Sequence, residues 1–223
     1  MQKSLINLTN NLSGLLLEFP SLVKRLEKKD PQFLPLLLAW IERAEDLLST
    51  YRIVGVAELS GLKSKILSPS YSNDFRGSLR KQQLKVAVDI LYELQECLQR
   101  TLQPHQEKVA QARELVNQLL SIVAESGAVH YRHPSSLDTF VRQIWGILNA
   151  HEQLKGGAVQ LKSQFSEQDI ILLIAEEIDL ARFSQKQKPA ATPSNNQSPN
   201  NQSSNKQSHN TKKASTTTLA TTS

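Results

Sequence analysis

A helical hydrophobic pattern across residues 79–125 constrains the fold more than any other feature of this sequence. Apolar side chains recur there at three- and four-residue spacing on both sides of Pro104. Before the proline they are Leu84, Ala87, Val88, Leu91, Leu94 and Leu98, and after it Val109, Ala112, Leu115, Val116, Leu119, Ile122 and Val123. Such spacing lines up one apolar stripe along an α-helix. We therefore predict a mainly α protein, with the helix broken at Pro104 because proline lacks a backbone donor.

The part of this pattern before Pro104 is apolar on a second side as well. The second stripe consists of Leu79, Val86, Ile90 and Cys97. A helix with apolar groups on two sides packs between neighbours. The sequence thus predicts a bundle of six or seven helices around residues 79–125.

Two geometries are open at Pro104. A merely kinked helix over residues 79–125 would be about 70 Å long, whereas a compact domain of this size is about 40 Å across. Such a rod would project from the body and favour a dimer. A reversal at Pro104 would instead make a helical hairpin and allow a closed monomer.

The N-terminal third of the chain also carries helical patterns. A first helix is predicted for residues 4–18 and is expected to end before Pro20. A short helix over residues 21–30 follows, and then a core helix over residues 31–51 with a wide apolar face. A further short helix is predicted near residues 56–67.

Residues 126–183 contain two similar units thirty residues apart, which suggest a βα-like subregion. Gly127-Ala128-Val129 in the first unit matches Gly157-Ala158-Val159 in the second. Segments near 128–132 and 158–163 could pair as a small two-strand ribbon, since 158–163 has strand-like alternation. Each unit then enters a capped helix, at Ser135 with Asp138 and at Ser166 with Asp169. Chance similarity between two short amphipathic units is the alternative.

Composition divides the chain into a helical domain, 1–183, and a low-complexity tail, 184–223. The tail has no acidic or aromatic residue, so it cannot bury enough apolar surface to fold and is predicted to be disordered. Its five lysines account for the net charge of +5, because 21 basic and 21 acidic residues remain elsewhere. Cys97 is the sole cysteine and is expected to be a buried, inert thiol. Since no apolar run approaches the roughly twenty residues of a membrane span, we predict a cytoplasmic protein.

No arrangement of residues in the sequence indicates catalysis or a cofactor. The pair His130 and His133, with His151 beyond them, lacks the third converging ligand that zinc requires. The solvent-exposed face of an amphipathic helix, rather than an acid–base pair, is the interpretation of Glu176, Glu177 and Asp179. The doubled glycine at 156–157 is interpreted as a helix C-terminal stop. We therefore predict no catalytic, metal or cofactor-binding residue.

One basic group remains as a weak candidate for phosphate or partner contacts, made of Arg76, Arg80, Lys81 and Lys85. The leading hypothesis is a non-enzymatic interaction or scaffold protein whose coiled-coil-like helical faces hold a protein partner or a second copy. The alternative is an accessory nucleic-acid-binding protein that uses this basic group and the lysine-bearing tail. An enzyme whose site is assembled from distant residues is a third possibility.

Overall fold

The computed structural model describes residues 3–69, 78–131 and 136–184, which form nine α-helices and no strand. In chain order they are α1 Leu5–Glu27, α2 Phe33–Tyr51, α3 Gly55–Leu67, α4 Leu79–Asp89, α5 Leu91–Ser126, α6 Leu137–Ala150, α7 Lys155–Gln164, α8 Glu167–Glu177 and α9 Leu180–Phe183. The mainly α prediction is confirmed, with nine helices in place of six or seven. The predictions for Arg76, His133, Ser135 and the disorder of the tail lie outside the described residues.

Helix α5 is the central element, and it passes through Pro104 without a break. It packs against α1, α3, α7 and α8, as expected for a helix in the middle of a bundle. Pro104 lies on the exposed side of α5, where water can hydrogen-bond the carbonyl that an interior proline leaves without a donor. The predicted break at Pro104 is therefore wrong, and so is the hairpin alternative.

The helical pattern breaks instead at Ile90, between α4 and α5. Ile90 has φ −100° and ψ 5°, away from helical values. Hydrogen bonding still carries through, because the Ile90 N–H donates to the Val86 carbonyl and the Leu94 N–H donates to the Ile90 carbonyl, both at 3.0 Å. The result is a kink, and α5 alone spans about 54 Å at 1.5 Å per residue.

Two hydrophobic cores lie one after the other along α5. The first half of α5 contributes Leu94, Cys97, Leu98 and Leu102 to a core built with α1, α2, α3 and α4. The second half contributes Val109, Ala112, Val116, Leu119, Leu120 and Val123 to a core built with α6, α7 and α8. Leu5, at the start of α1, packs against both cores. The described part of the chain up to residue 184 belongs to one compact unit. Its two cores both include α5, and α1 contributes to both as well, with Ile6 buried in the second core.

Helix α2 is the core helix of the first half, as predicted. Trp40 is fully buried in it, and its ring lies 5.3 Å from that of Phe19. The Trp40 indole N–H donates to the backbone carbonyl of Leu15 at 2.8 Å, so the side chain joins α2 to α1 through both packing and a hydrogen bond. Near this contact α1 continues through Pro20, and the predicted end of the helix there is wrong. Pro20 is exposed, so the same reasoning as for Pro104 applies.

The two-strand ribbon near 128–132 and 158–163 is wrong. Residues 158–163 lie inside α7, and residues 128–131 form no strand. The buried side chains there are Ala158, Leu161 and Phe165, whose three- and four-residue spacing follows a helix rather than a strand. Val159, which gave the segment its apparent alternation, is 56% exposed.

The glycines that matched between the two similar units have different conformations. Gly127 ends α5 with φ 63°, in the left-handed region that glycine tolerates best. Gly157 lies inside the first turn of α7, so the predicted helix stop at 156–157 is wrong. A Cβ at Gly157 would lie 3.0 Å from the Leu119 side chain, and the glycine therefore allows α7 to approach α5 closely.

The helix starts of the two units do correspond. Ser166 caps α8 by accepting a hydrogen bond from the Asp169 N–H, as predicted. Helix α6 is capped by Ser136, which accepts from the Thr139 N–H. The two capping serines are thus thirty residues apart, in register with the glycine match, while the segments before them differ in structure.

Candidate functional site

The surface that distinguishes this molecule is an exposed stripe on α4 and the first turn of α5. It consists of Lys81, Leu84, Lys85, Val88 and Tyr92, and we refer to it as the α4 stripe. Leu84, Val88 and Tyr92 follow one another at four-residue spacing and are 39%, 41% and 73% exposed. Helical hydrogen bonding across Ile90 keeps the stripe continuous through the kink. Apolar side chains in such a row on a protein surface are typical of an interaction site.

The exposure of this stripe corrects the sequence interpretation of residues 79–98. The spacing predicts that Leu84 and Val88 are buried, but the buried face is made of Ala87, Ile90, Leu94, Cys97 and Leu98. Within α4, residues 79–89, Ala87 is the one buried residue. The sequence predicts two apolar stripes, but the neighbouring helices bury a face that takes residues from both of them.

The described members of the predicted basic group have different environments. Arg80 donates to the backbone carbonyl of Pro31 at 2.7 Å and ties the start of α4 to the α1–α2 connection. Lys81 and Lys85 are exposed on the α4 stripe, interleaved with its apolar side chains. Arg76 lies outside the described residues. The structure therefore places both lysines of the predicted group on a mixed basic and apolar surface.

A small cleft opens at one edge of the α4 stripe, beside Leu84. Its volume is about 140 Å³, and it lies between α4 and the end of α1 with the start of α2. The walls are mostly apolar, and the polar residues at it include Arg80; its lining residues are Leu26, Lys29, Asp30, Pro31, Phe33, Leu34, Arg80 and Leu84. A partner side chain that crosses the stripe at Leu84 would meet this cleft.

The acids Glu176, Glu177 and Asp179 have structural contacts. Two of them pair with a neighbouring helix, and the third caps a helix. Arg113 on α5 pairs with Glu177 at 2.7 Å and with Glu176 at 2.6 Å on α8. Asn117 donates to the second oxygen of Glu177, also at 2.7 Å. Asp179 caps α9 by accepting from the Ala181 N–H. These contacts explain the cluster of acids by helix packing.

Asp169 has a role that the sequence interpretation missed. This residue is 2% exposed, and its carboxylate accepts from the Ser4 hydroxyl at 2.5 Å and from the Leu5 N–H at 3.0 Å. The first turn of α8 thereby holds the first turn of α1, two helices far apart in sequence. The capping pattern located Asp169 correctly but gave no sign of a long-range partner.

A larger cleft, of about 550 Å³, lies beside this anchor between α1, α6 and α8. Asp169 lines the cleft and already accepts a hydrogen bond from Ser4 at the start of α1. Arg142 also lines it and pairs with Asp138 at 2.9 Å. Leu137 and Leu172 contribute exposed apolar surface. The charged side chains that line this cleft, among the described residues, therefore form ion pairs with one another or hydrogen bonds with α1.

The histidines that the structure describes in this region lie on the surface. His130 and His151 are both exposed, and His133 lies outside the described residues. Within residues 3–69, 78–131 and 136–184, no group of three or more His, Cys, Asp or Glu side chains is placed to hold a metal ion.

Cys97 is fully buried in the first core, as predicted. Burial disfavours the thiolate, and the nearby Glu58 carboxylate adds to this effect, so the pKa of the Cys97 thiol rises to about 11. Both features oppose reaction, because the thiolate is the nucleophile.

We expect Cys97 in the native protein to react with a disulfide reagent at pH 8 at least about 100-fold more slowly than in urea, where its pKa returns to about 8.5. Stopped-flow thiol titration measures both rates. A cysteine at Val54, which is 88% exposed, is the control when combined with Cys97→Ala and should react rapidly. A native Cys97 that reacted as fast as this control would contradict its placement.

No family model, curated protein or solved structure matches this chain. The fold by itself defines the class, an all-α protein with two cores that are both built on α5. Among the described residues, no helix combines the length and the apolar character needed to cross a membrane.

Proposed function

We propose that this chain is a non-enzymatic interaction protein that binds a protein partner through the α4 stripe. The observation that carries the proposal is the exposed row of Leu84 and Val88 on α4, where Ala87 is the one buried residue, and Tyr92 in the first turn of α5. Tyrosine is one of the residues enriched at the anchor positions of protein interfaces. Tyr92 is the natural anchor because it is large and 73% exposed.

Nucleic-acid binding receives less support from the same surface. A phosphate-binding surface needs basic side chains that follow the backbone of the nucleic acid. Here Lys81 and Lys85 are separated by Leu84 and bordered by Val88, and Arg80 already donates to a backbone carbonyl. Binding that fell steeply with salt would favour this alternative.

Photo-crosslinking tests the proposed function directly. With a benzophenone amino acid in place of Tyr92, irradiation in cells should give a discrete adduct, because the benzophenone replaces an exposed aromatic residue at the centre of the surface. Val88→Asp on the same chain should abolish that adduct by placing a charge in the apolar row. Benzophenone at Val54 is the matched control, because Val54 is 88% exposed but lies just before α3, outside the α4 stripe. The proposal fails if position 92 gives no adduct, or if the adduct persists with Val88→Asp.

A further inference from the structure

We infer that a cleft where the two cores meet binds a small carboxylate with a hydrocarbon chain, its charged end at Arg52 and His105. The cleft has a volume of about 430 Å³, and small-molecule sites span about 300–1,000 Å³. It is formed by the start of α1, the end of α2 and the middle of α5. The inference is independent of the proposed function, because none of the described residues that line this cleft belongs to the α4 stripe.

Part of the lining is apolar and belongs to the seam between the two cores. Leu5 lines the cleft and packs against both cores, and Leu8 beside it is 1% exposed. The ring of Tyr51 and the side chain of Ile53 add to this lining from the end of α2 and the connection after it. A hydrocarbon chain placed against these side chains would be removed from water, which favours binding.

The charged residues of the lining are basic, and no described residue that lines the cleft is acidic. Lys3 donates to the Thr50 carbonyl and lies 5.8 Å from the centre of the Tyr51 ring, so it complements the negative end of α2. Arg52 ends α2 and is exposed. Its guanidinium has no hydrogen bond or ion pair within the described residues. Arg52 is therefore the cation that can pair with a carboxylate.

His105 adds a polar side chain that lacks a protein partner. The residue is half-buried, and its Nδ1 atom is buried without a hydrogen-bond partner among the described residues. Since buried polar groups are normally paired, an unpaired nitrogen on a residue that lines a cleft points to a ligand. The titratable groups that face His105 are Lys3, Tyr51 and Arg52 of the cleft and Lys108 on its own helix. None of these is a carboxylate.

The histidine makes the expected binding depend on pH. Burial lowers the pKa of His105, and the charge of Lys108 lowers it further. A carboxylate bound beside the ring should raise this pKa, because a nearby negative charge favours the imidazolium. By linkage, the affinity for the carboxylate rises as the pH falls through the pKa of His105.

Calorimetric titration of the full chain with octanoate tests the site. We expect a dissociation constant of about 0.1–1 mM at pH 5.5 for a ligand of this size, and binding at least about threefold weaker at pH 8. Octanamide keeps the chain without the charge, and acetate keeps the charge without the chain. Each should bind at least about tenfold more weakly than octanoate, because each lacks one half of the complementarity.

Two variants test the named residues. Arg52→Gln should weaken octanoate binding about tenfold, because it removes the cation. His105→Gln should remove the pH dependence, and the histidine resonance that this variant lacks identifies His105 in proton NMR spectra of the original protein. Lys28→Gln is the matched control, because Lys28 is an exposed base at the other end of α1. It should leave the affinity unchanged, and thermal unfolding should be nearly unchanged in all three variants.

The site is established if octanoate binds more tightly than both related compounds, Arg52→Gln weakens it, and saturating octanoate raises the pKa of His105. It is overturned if octanoate does not bind up to about 10 mM, or if octanamide binds as tightly. Unchanged affinity in Arg52→Gln, or an unchanged titration of His105 with octanoate bound, also overturns it. None of these results bears on the crosslink at position 92, so the proposed function stands or fails separately.

Discussion

Replacing Asp169 by alanine is expected to lower the free energy of unfolding by about 3 kcal/mol, since hydrogen bonds to a charged group contribute about 1.5–3 kcal/mol each. The variant loses the acceptor for the Ser4 hydroxyl and for the Leu5 N–H, both at the start of α1. These donors lie where the first and second cores approach, because Leu5 packs against both. The loss should therefore loosen the N-terminal turn of α1 first.

Urea unfolding and hydrogen exchange together measure this effect. At a urea dependence of about 2–3 kcal/mol per molar, the midpoint should fall by about 1–1.5 M, and amides in the first turns of α1 should exchange faster. Glu167→Ala is the matched control, because Glu167 is an exposed acid in the same first turn of α8. If Glu167→Ala lowered the free energy of unfolding as much as Asp169→Ala, the effect would come from the helix dipole rather than from the hydrogen bonds to α1.

Replacing Trp40 by alanine should have the largest effect of any single substitution considered, about 3–5 kcal/mol. Trp40 is fully buried, packs on Phe19 and donates to the Leu15 carbonyl. Its removal leaves a large cavity between α1 and α2 in the first core. Since α5 contributes to both cores, the second core should also unfold at lower temperature rather than remain as a separate transition.

Trp40→Phe separates packing from the hydrogen bond. This variant keeps an aromatic ring but has no donor for Leu15, so it should cost less than the alanine variant, about 1–2 kcal/mol. Leu17→Ala is the control, because Leu17 on α1 is 80% exposed, and it should change stability by less than about 0.5 kcal/mol. Calorimetry that resolved two transitions in Trp40→Ala, with the second unshifted, would contradict coupling of the cores through α5.

The sequence predicted the helical class and most of the helical segments because these depend on local spacing. The core helix around Trp40 and the helix over residues 56–67 needed nothing beyond apolar periodicity and propensity. The errors have one physical origin at Pro20 and Pro104. A proline ends a helix on average, but an exposed proline on a helix that is held by tertiary packing does not, and burial is not visible in the sequence.

The candidate surface was found only in part, for a related reason. Charge identifies Lys81 and Lys85 in the sequence, whereas the neighbouring Leu84 and Val88 fit the spacing of a buried stripe and are predicted to lie in the core. Which of two apolar stripes is covered depends on neighbouring helices, not on the helix itself. Asp169 shows the same limit, because its partners at Ser4 and Leu5 are more than 160 positions away.

The most direct test of the account is the distance between the two halves of α5. Spin labels on cysteines at Tyr92 and Gln118, both exposed, report this distance by pulsed electron resonance in a Cys97→Ala background. A helix that continues through Pro104 and serves both cores predicts a separation of about 33–40 Å over 26 residues. A reversal at Pro104 would pack the halves side by side at about 10 Å, and a distance below about 20 Å would contradict the shared helix on which the fold and the two cores depend.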